Sequence, residues 1–234
     1  MPGWLTLAKG PISRFIFAFL ALSLIRLALL SSLDMLQAIR QAGDRRLPYG
    51  QILRETSSWL LPIRRLHRTR GLYSYASFLF HIGILVVGLF LGNHISILQA
   101  STGLSWGAIA KPVLDVLALL AIFGGGYLLL HRIYVYSSRK LSRWPDYLLL
   151  VVILNIFVSG YLAGRPWNPI PYNGMMLFHV INGLGLLLAI PFSKISHCVL
   201  FPLIRLGSEI GWHFPPQAGQ QVINSLHGTE GRKI

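Results

Sequence analysis

Long apolar runs alternate with shorter polar segments along the whole chain. Several runs exceed the length of about 18 residues that marks a helix able to cross a membrane. We interpret five of them as transmembrane helices of one domain, followed by a polar tail over residues 207–234. The predicted spans cover about residues 12–33, 75–98, 113–135, 147–163 and 174–206. The pattern predicts an all-α fold, a polytopic bundle of five transmembrane helices.

The composition excludes an ordinary soluble domain. The chain has 234 residues, of which 53% are hydrophobic, and its mean hydropathy is +0.58. A protein of this size cannot hide that many apolar helices in one core, because small proteins keep much of their surface in contact with solvent. A cleaved signal peptide is an alternative for the first run. However, that run is long, no A-x-A site follows it and four more spans do, so we expect a retained helix.

The charge distribution predicts the orientation. A net charge of +14 would suit a nucleic-acid-binding protein, but the basic residues crowd into particular connections, as membrane topology demands. Sixteen Lys and Arg residues fall on one side of the predicted bundle and four on the other. The positive-inside rule then puts the N-terminus outside and the C-terminus in the cytoplasm of a bacterial or archaeal cell. We expect contact with membrane lipid and no nucleic-acid partner.

The connection between the first two spans contains a further element. Residues 51–66, QILRETSSWLLPIRRL, mix apolar and basic positions. Such a segment is typical of an amphipathic helix that lies on the lipid headgroups.

Four histidines are the candidate metal ligands. His179 and His197 are eighteen residues apart in the fifth predicted span. In one helix this is about five turns, which puts both rings on one face and separates them by roughly 27 Å. Intramembrane histidines are costly unless they function. His81 and His94 lie at matching depths in the second span, so His81–His197 on the cytoplasmic side and His94–His179 on the outer side could each ligate a haem.

Other readings of these histidines remain open. An intramembrane histidine can simply hydrogen-bond two helices together, or belong to the proton relay of a non-redox transporter. The single cysteine, Cys198, excludes an internal disulfide and an iron–sulfur cluster ligated by this chain's cysteines alone. No C-x-x-C-H motif occurs, so the two haems we expect would be of the non-covalent b type. Small residues on the ligand helices would let a flat macrocycle approach the backbone. These are Gly83, Gly88, Gly92, Gly183 and Gly185.

Two motifs carry a family resemblance. FHIGIL at 80–85 and HVINGLGLLLAIPFSKISH at 179–197 resemble the gamma subunit of respiratory nitrate reductase. The wider superfamily of membrane cytochromes b includes subunits of heterodisulfide reductase and of sulfite-reduction-associated complexes, and similarity covers roughly residues 75–206. The resemblance implies five spans with two b haems ligated from the second and fifth helices. His81, His179 and His197 match those ligand positions directly.

The fourth ligand departs from the family pattern. The nitrate reductase subunit has its second histidine ten residues after the first, where this chain has Leu91. His94 is the nearest candidate, displaced by about 4.5 Å along a regular helix and roughly 60° around it. Gly92 and Asn93 just before it could loosen the helix and re-aim the ring. We therefore predict His94 as the fourth ligand. The alternative is an outer haem that is absent or differently ligated.

The resemblance also implies a quinol or quinone site beside the outer haem, to which Lys111 would belong. Lys111 could equally be an interfacial anchor whose ammonium reaches the headgroups. The chain has no molybdenum, flavin or iron–sulfur signature, so an iron–sulfur subunit at the cytoplasmic face is the expected partner.

The sequence thus predicts a membrane di-haem cytochrome b subunit that exchanges electrons between quinone and that partner. It would be an electron-transfer subunit, with no complete catalytic site for a terminal substrate. A membrane cytochrome b of the formate dehydrogenase or hydrogenase type is an alternative. It would place ligands on other helices, with His131 as a candidate.

Overall fold

The computed structural model describes residues 2–42, 48–60 and 71–211, and every regular element within these ranges is helical. A π-helix at Ala8–Ile12 follows α1, and two 3-10 turns, Ile190–Phe192 and Lys194–Ser196, separate α9 from α10. The α-helices are α1 (Pro2–Leu7), α2 (Ser13–Ala42), α3 (Tyr49–Leu60), α4 (Gly71–Phe90), α5 (Gly92–Thr102), α6 (Lys111–Tyr134), α7 (Tyr136–Leu141), α8 (Trp144–Ala163), α9 (Tyr172–Ala189) and α10 (His197–Gly211).

Five of the described helical segments are long and apolar enough to cross a membrane, as the sequence predicted. Their surfaces are rich in exposed apolar side chains, as expected of helices whose solvent is lipid. The five segments are Gly3–Gln37, Gly71–Phe90, Lys111–Tyr134, Trp144–Ala163 and Tyr172–Phe192.

The described residues form two compact units, divided within α2. The first unit contains residues 2–22 and 71–193. The second contains residues 23–42, 48–60 and 194–211.

Small residues bring α4 and α6 together in the core of the first unit. A Cβ atom at Gly83 would lie 2.6 Å from the Cβ of Ala121, and one at Gly124 would lie 2.9 Å from the carbonyl oxygen of Ala76. Such positions let two helix backbones approach closely, and the buried Phe80 side chain packs beside them. Gly83, which the sequence analysis assigned to a macrocycle, thus packs α4 against α6 instead.

The second predicted span is not one continuous helix. The helix α4 ends at Phe90, Leu91 has an extended backbone (φ −74°, ψ 124°), and α5 begins at Gly92. The chain therefore changes direction between the two histidines of this segment, His81 and His94.

The fifth predicted span, residues 174–206, is also interrupted. The helix α9 ends at Ala189, and the backbone becomes extended at Ser193 (φ −120°, ψ 173°) before α10 begins at His197. Pro191, at the start of the 3-10 turn, has no N–H to continue the helical hydrogen bonds. His179 and His197 therefore lie on different helices, and the prediction that they share one face of one helix was wrong.

In the second unit α3 packs against α10. Ile52 and Thr56, one turn apart on α3, are both buried, and the Arg205 guanidinium lies 4.1 Å from the centre of the Trp59 ring. Arg205 also pairs with Glu209 one turn further along α10. The helix predicted within residues 51–66 thus buries one face against protein, and its predicted end at 61–66 lies outside the described residues.

The helix α10 continues to Gly211, so the residues from 207 to 211 are helical where the sequence predicted a polar tail. The remainder of that predicted tail, residues 212–234, lies outside the described ranges.

Candidate metal centre

The structure brings His94 and His179 together within the first unit. The centres of their rings are 6.2 Å apart and the ring planes differ by only 11°. Both side chains are partly buried. These are the two histidines that the sequence analysis paired on the outer side of the membrane.

The ring of His179 is held by the neighbouring helix α8. Its Nδ1 lies 3.0 Å from the carbonyl oxygen of Ile156 and 3.3 Å from Oγ of Ser159. The Ser159 side chain is buried, and its hydroxyl itself donates to the Ile156 carbonyl at 3.1 Å. A carbonyl oxygen can only accept, so Nδ1 of His179 carries the hydrogen. In the neutral ring Nε2 is then the nitrogen with the lone pair.

The ring of His94 is oriented by a hydrogen bond across the helix interruption at Leu91. Its Nδ1 lies 3.1 Å from the carbonyl oxygen of Gly88, in the last turn of α4. His94 lies on α5, beyond the apolar segment that ends at Phe90. The neutral ring, with its hydrogen on Nδ1, again leaves the lone pair on Nε2.

The next two carbonyls at the end of α4 are bound by the loop between α5 and α6. The Trp106 indole donates to Leu89 at 2.8 Å, and the Ile109 amide donates to Phe90 at 3.1 Å. Backbone groups left without partners in a membrane are costly. The loop therefore stabilises the helix interruption next to His94.

The two rings have the features of paired metal ligands. A ligating histidine typically donates its other ring N–H to a carbonyl or carboxylate, which fixes its orientation. With metal–nitrogen bonds of about 2.0–2.1 Å on each side, the centres of two opposed imidazoles lie roughly 6 Å apart. The centres of the His94 and His179 rings are 6.2 Å apart, a separation of that size. No group of three or more His, Cys, Asp or Glu side chains that could hold a metal occurs among the described residues.

The two inner candidates have local hydrogen bonds. His81 Nδ1 lies 2.7 Å from the carbonyl oxygen of Ser77, and His197 Nδ1 lies 2.7 Å from that of Lys194. Both side chains are exposed. His81 belongs to the first unit and His197 to the second, and their pairing stays a prediction.

Lys111 begins α6 and belongs to a charged cluster. Its Nζ lies 2.9 and 3.1 Å from the two carboxylate oxygens of Asp115. Arg165 donates to the same carboxylate at 2.9 Å and lies over the Tyr161 ring at 4.2 Å. The sequence did not lead us to predict these partners of Lys111. Its spacing of four residues from Asp115 on a helix was a signal for the first of them.

One face of α8 connects this cluster with the candidate metal centre. Gly160 faces the ring of His179, and a Cβ atom at Gly164 would lie 3.7 Å from Nζ of Lys111. Four residues of helix separate the two glycines by about 6 Å on the same face. Gly164 is the residue that caps α8, so Lys111 lies at the C-terminal end of the helix and His179 contacts its last turn.

His131 lies in a different environment. Its Nδ1 is 3.0 Å from Oγ of Ser138, and its ring packs against Tyr73 and Tyr127 at centre-to-centre distances of 4.7 and 5.9 Å. His131 thus lies near the end of α6, in contact with α4 and α7 and among aromatic side chains.

The fold and the hydropathy of its helices define the class of protein: all-helical over the described ranges, with five segments able to span a membrane. The chain is 38% identical over 162 residues to a protein of Nitratidesulfovibrio vulgaris, covering 69% of this chain and 70% of that protein. It belongs to the same family as that protein, whose description is only "Protein" and states no function. No family model matches the chain, and no solved structure matches it.

Proposed function

We propose that the chain is the membrane cytochrome b subunit of a respiratory oxidoreductase complex. It would exchange electrons between quinol or quinone at the outer side of the membrane and an iron–sulfur subunit at the cytoplasmic face. The observation that carries this proposal is the approach of His94 and His179, with near-parallel rings and both Nδ1 atoms on backbone carbonyls.

The residues around the outer pair fit a b-type haem. A Cβ atom at Gly88 or at Gly183 would meet nothing within 4 Å. Gly183 is one turn from His179, and the Gly88 carbonyl holds His94. The helix surface at these two glycines is therefore open, which favours the approach of a flat macrocycle. When bound, haem b supplies a one-electron iron couple. His94 and His179 would hold its iron through Nε2, and the carbonyls at Nδ1 would keep both rings oriented.

A second haem would be held by His81 and His197 on the cytoplasmic side. The hydrogen on Nδ1 of each ring faces a carbonyl oxygen, so Nε2 again carries the lone pair needed for ligation. One haem near each leaflet would carry electrons across the low-dielectric core. The proposed orientation rests on the sixteen basic residues of the predicted cytoplasmic side.

The cluster at Lys111 is our candidate for the quinone site. The Lys111 side chain is 56% exposed, so its ammonium can donate to a quinone oxygen while it remains paired with Asp115. Its ammonium lies at the C-terminal end of α8, four residues beyond the glycine that His179 contacts, and this supports a quinone site next to the proposed outer haem. The Asp115 carboxylate offers an acceptor for a quinol proton at the same place.

The first test is a reduced-minus-oxidised visible spectrum of the detergent-purified protein with pyridine haemochrome quantitation. We expect about two b haems per chain. Variants His179→Ala and His94→Ala should each retain one, and the control His131→Ala should retain both.

Each alternative gives a different result. A protein without haem, purified from cells that make haem, would exclude the cytochrome function and favour the proton-relay transporter. Loss of a haem from His131→Ala would instead favour a membrane cytochrome b of the formate dehydrogenase or hydrogenase type. One haem that is insensitive to His94→Ala would remove that residue from the site.

A further inference from the structure

We infer that Gly160 is a positioning residue for the outer ligand His179. Because glycine has no side chain, the imidazole can lie directly against the backbone of α8 at this residue. This inference rests on the proposed function, because it assigns the residue a role in haem ligation. It concerns α8, a helix that contributes no ligand of its own.

The contact is with the ring itself. A Cβ atom at Gly160 would lie 2.6 Å from Cε1, 3.0 Å from Nδ1 and 3.3 Å from Nε2 of His179. Separations under 3.0 Å are shorter than van der Waals contact, so any other residue at 160 must move the ring or the helix. The atom that bonds the iron, Nε2, is one of the three ring atoms closest to this position.

The ring has little room to retreat. On one side its Nδ1 is hydrogen-bonded to the Ile156 carbonyl and lies near the Ser159 hydroxyl. Across the proposed iron position the near-parallel ring of His94 lies at 6.2 Å. A shift of the His179 ring must therefore break the α8 hydrogen bonds or change the angle and spacing between the two imidazoles.

Helix propensity does not account for a glycine here. In the interior of a helix glycine is less favourable than alanine, so Gly160→Ala should stabilise α8 as an isolated helix. Gly126, in the interior of α6, is the matched control, because a Cβ atom there would meet nothing within 4 Å. An adverse effect at 160 that is absent at 126 must come from the contact with His179.

The experiment compares full-length Gly160→Ala and Gly126→Ala with the natural protein in haem content, in the midpoint potentials of the haems, and in the EPR spectrum. The EPR spectrum of a low-spin ferric haem responds to the angle between its two imidazole planes. We expect Gly160→Ala to lose the outer haem, or to shift its potential and EPR signal, while the inner haem is unchanged. Gly126→Ala should match the natural protein.

A double variant shows whether the effect passes through the ring. In a His179→Ala background there is no imidazole for the new methyl group to meet, so adding Gly160→Ala should have no further adverse effect on the inner haem or on thermal stability. The double variant also tests the inference if Gly160→Ala alone fails to fold. In that case the double variant should fold and hold the inner haem.

Three outcomes would overturn the inference, and they differ in what they say of the function. If Gly160→Ala keeps both haems with unchanged potentials and EPR, the positioning role is lost and the cytochrome function stands. The same holds if the double variant is damaged as severely as Gly160→Ala alone. A natural protein without haem overturns the function and the positioning role together.

Discussion

The two candidate ligand pairs differ in where the hydrogen bonds of their Nδ1 atoms lead. Among the outer pair, His179 bonds to a carbonyl of another helix, Ile156 on α8, and His94 bonds across a helix interruption to Gly88. The inner histidines, His81 and His197, bond to carbonyls four and three residues earlier in the chain. A local bond can form in an isolated helix, whereas the outer arrangement exists only when α4, α5, α8 and α9 are assembled. The outer pair should therefore respond to substitutions far from the ligands in sequence.

The largest effect should come from removing one ligand at a time. His179→Ala and His81→Ala should each lower the content from about two haems to one, but the two variants should lose different haems. We expect the remaining haem to have a different midpoint potential in each variant, measured by potentiometric titration with the visible spectrum. Identical remaining haems would show that the two pairs do not form separate sites.

A second prediction concerns rate rather than haem content. Lys111→Ala should retain both haems but slow their reduction by a quinol analogue, while Lys111→Arg should retain part of the rate. Loss of a hydrogen bond to a charged group is worth about 1.5–3 kcal/mol, which corresponds to roughly 10- to 160-fold in rate. Stopped-flow reduction of the haem measures this directly. A rate equal to that of the natural protein would leave Lys111 as an interfacial anchor.

A third prediction tests the support of the helix interruption. Trp106→Phe removes the donor to the Leu89 carbonyl but keeps an aromatic side chain in the loop. We expect a loss of about 1 kcal/mol of stability, the typical net contribution of one hydrogen bond. The outer haem should be released at a lower temperature, while the inner haem is little affected. The loss of haem absorbance during heating measures this release. Equal weakening of both haems would argue against a local role.

The smallest predicted effect is that of Ser159→Ala. The hydroxyl lies 3.3 Å from Nδ1 of His179, while the closer Ile156 carbonyl remains in place. Loss of this secondary partner should shift the midpoint potential of the outer haem by at most about 40 mV, which corresponds to roughly 1 kcal/mol for one electron. The potential of the inner haem serves as the control within the same titration.

The spans could be predicted from the sequence because apolar length is a local property. The approach of His94 to His179 was also expected, since Gly92 and Asn93 signal a weak point in the helix. The continuous fifth helix was not correct, because Pro191 and the extended backbone at Ser193 outweighed the apolar pattern around them.

Other features depend on contacts between distant segments. Neither Gly160 nor Trp106 carries a signal of its own, because glycine on a helix and tryptophan in a loop are compatible with many environments. What gives them importance is which side chain of another segment reaches them. That information arises only when α8 and α9, or the loop and α4, are packed together.

The interruption at Leu91 has a consequence for how ligand spacing constrains such a chain. In an unbroken helix the number of residues between two ligands must follow the helical repeat, because each added residue rotates the side chain by about 100°. Where one helix ends and another begins, the number of residues between two ligands no longer fixes their relative orientation. The thirteen residues from His81 to His94 then need not reproduce the face or the height that a spacing of ten would give. A motif written as a fixed interval between histidines would overlook this chain, although its outer rings face each other.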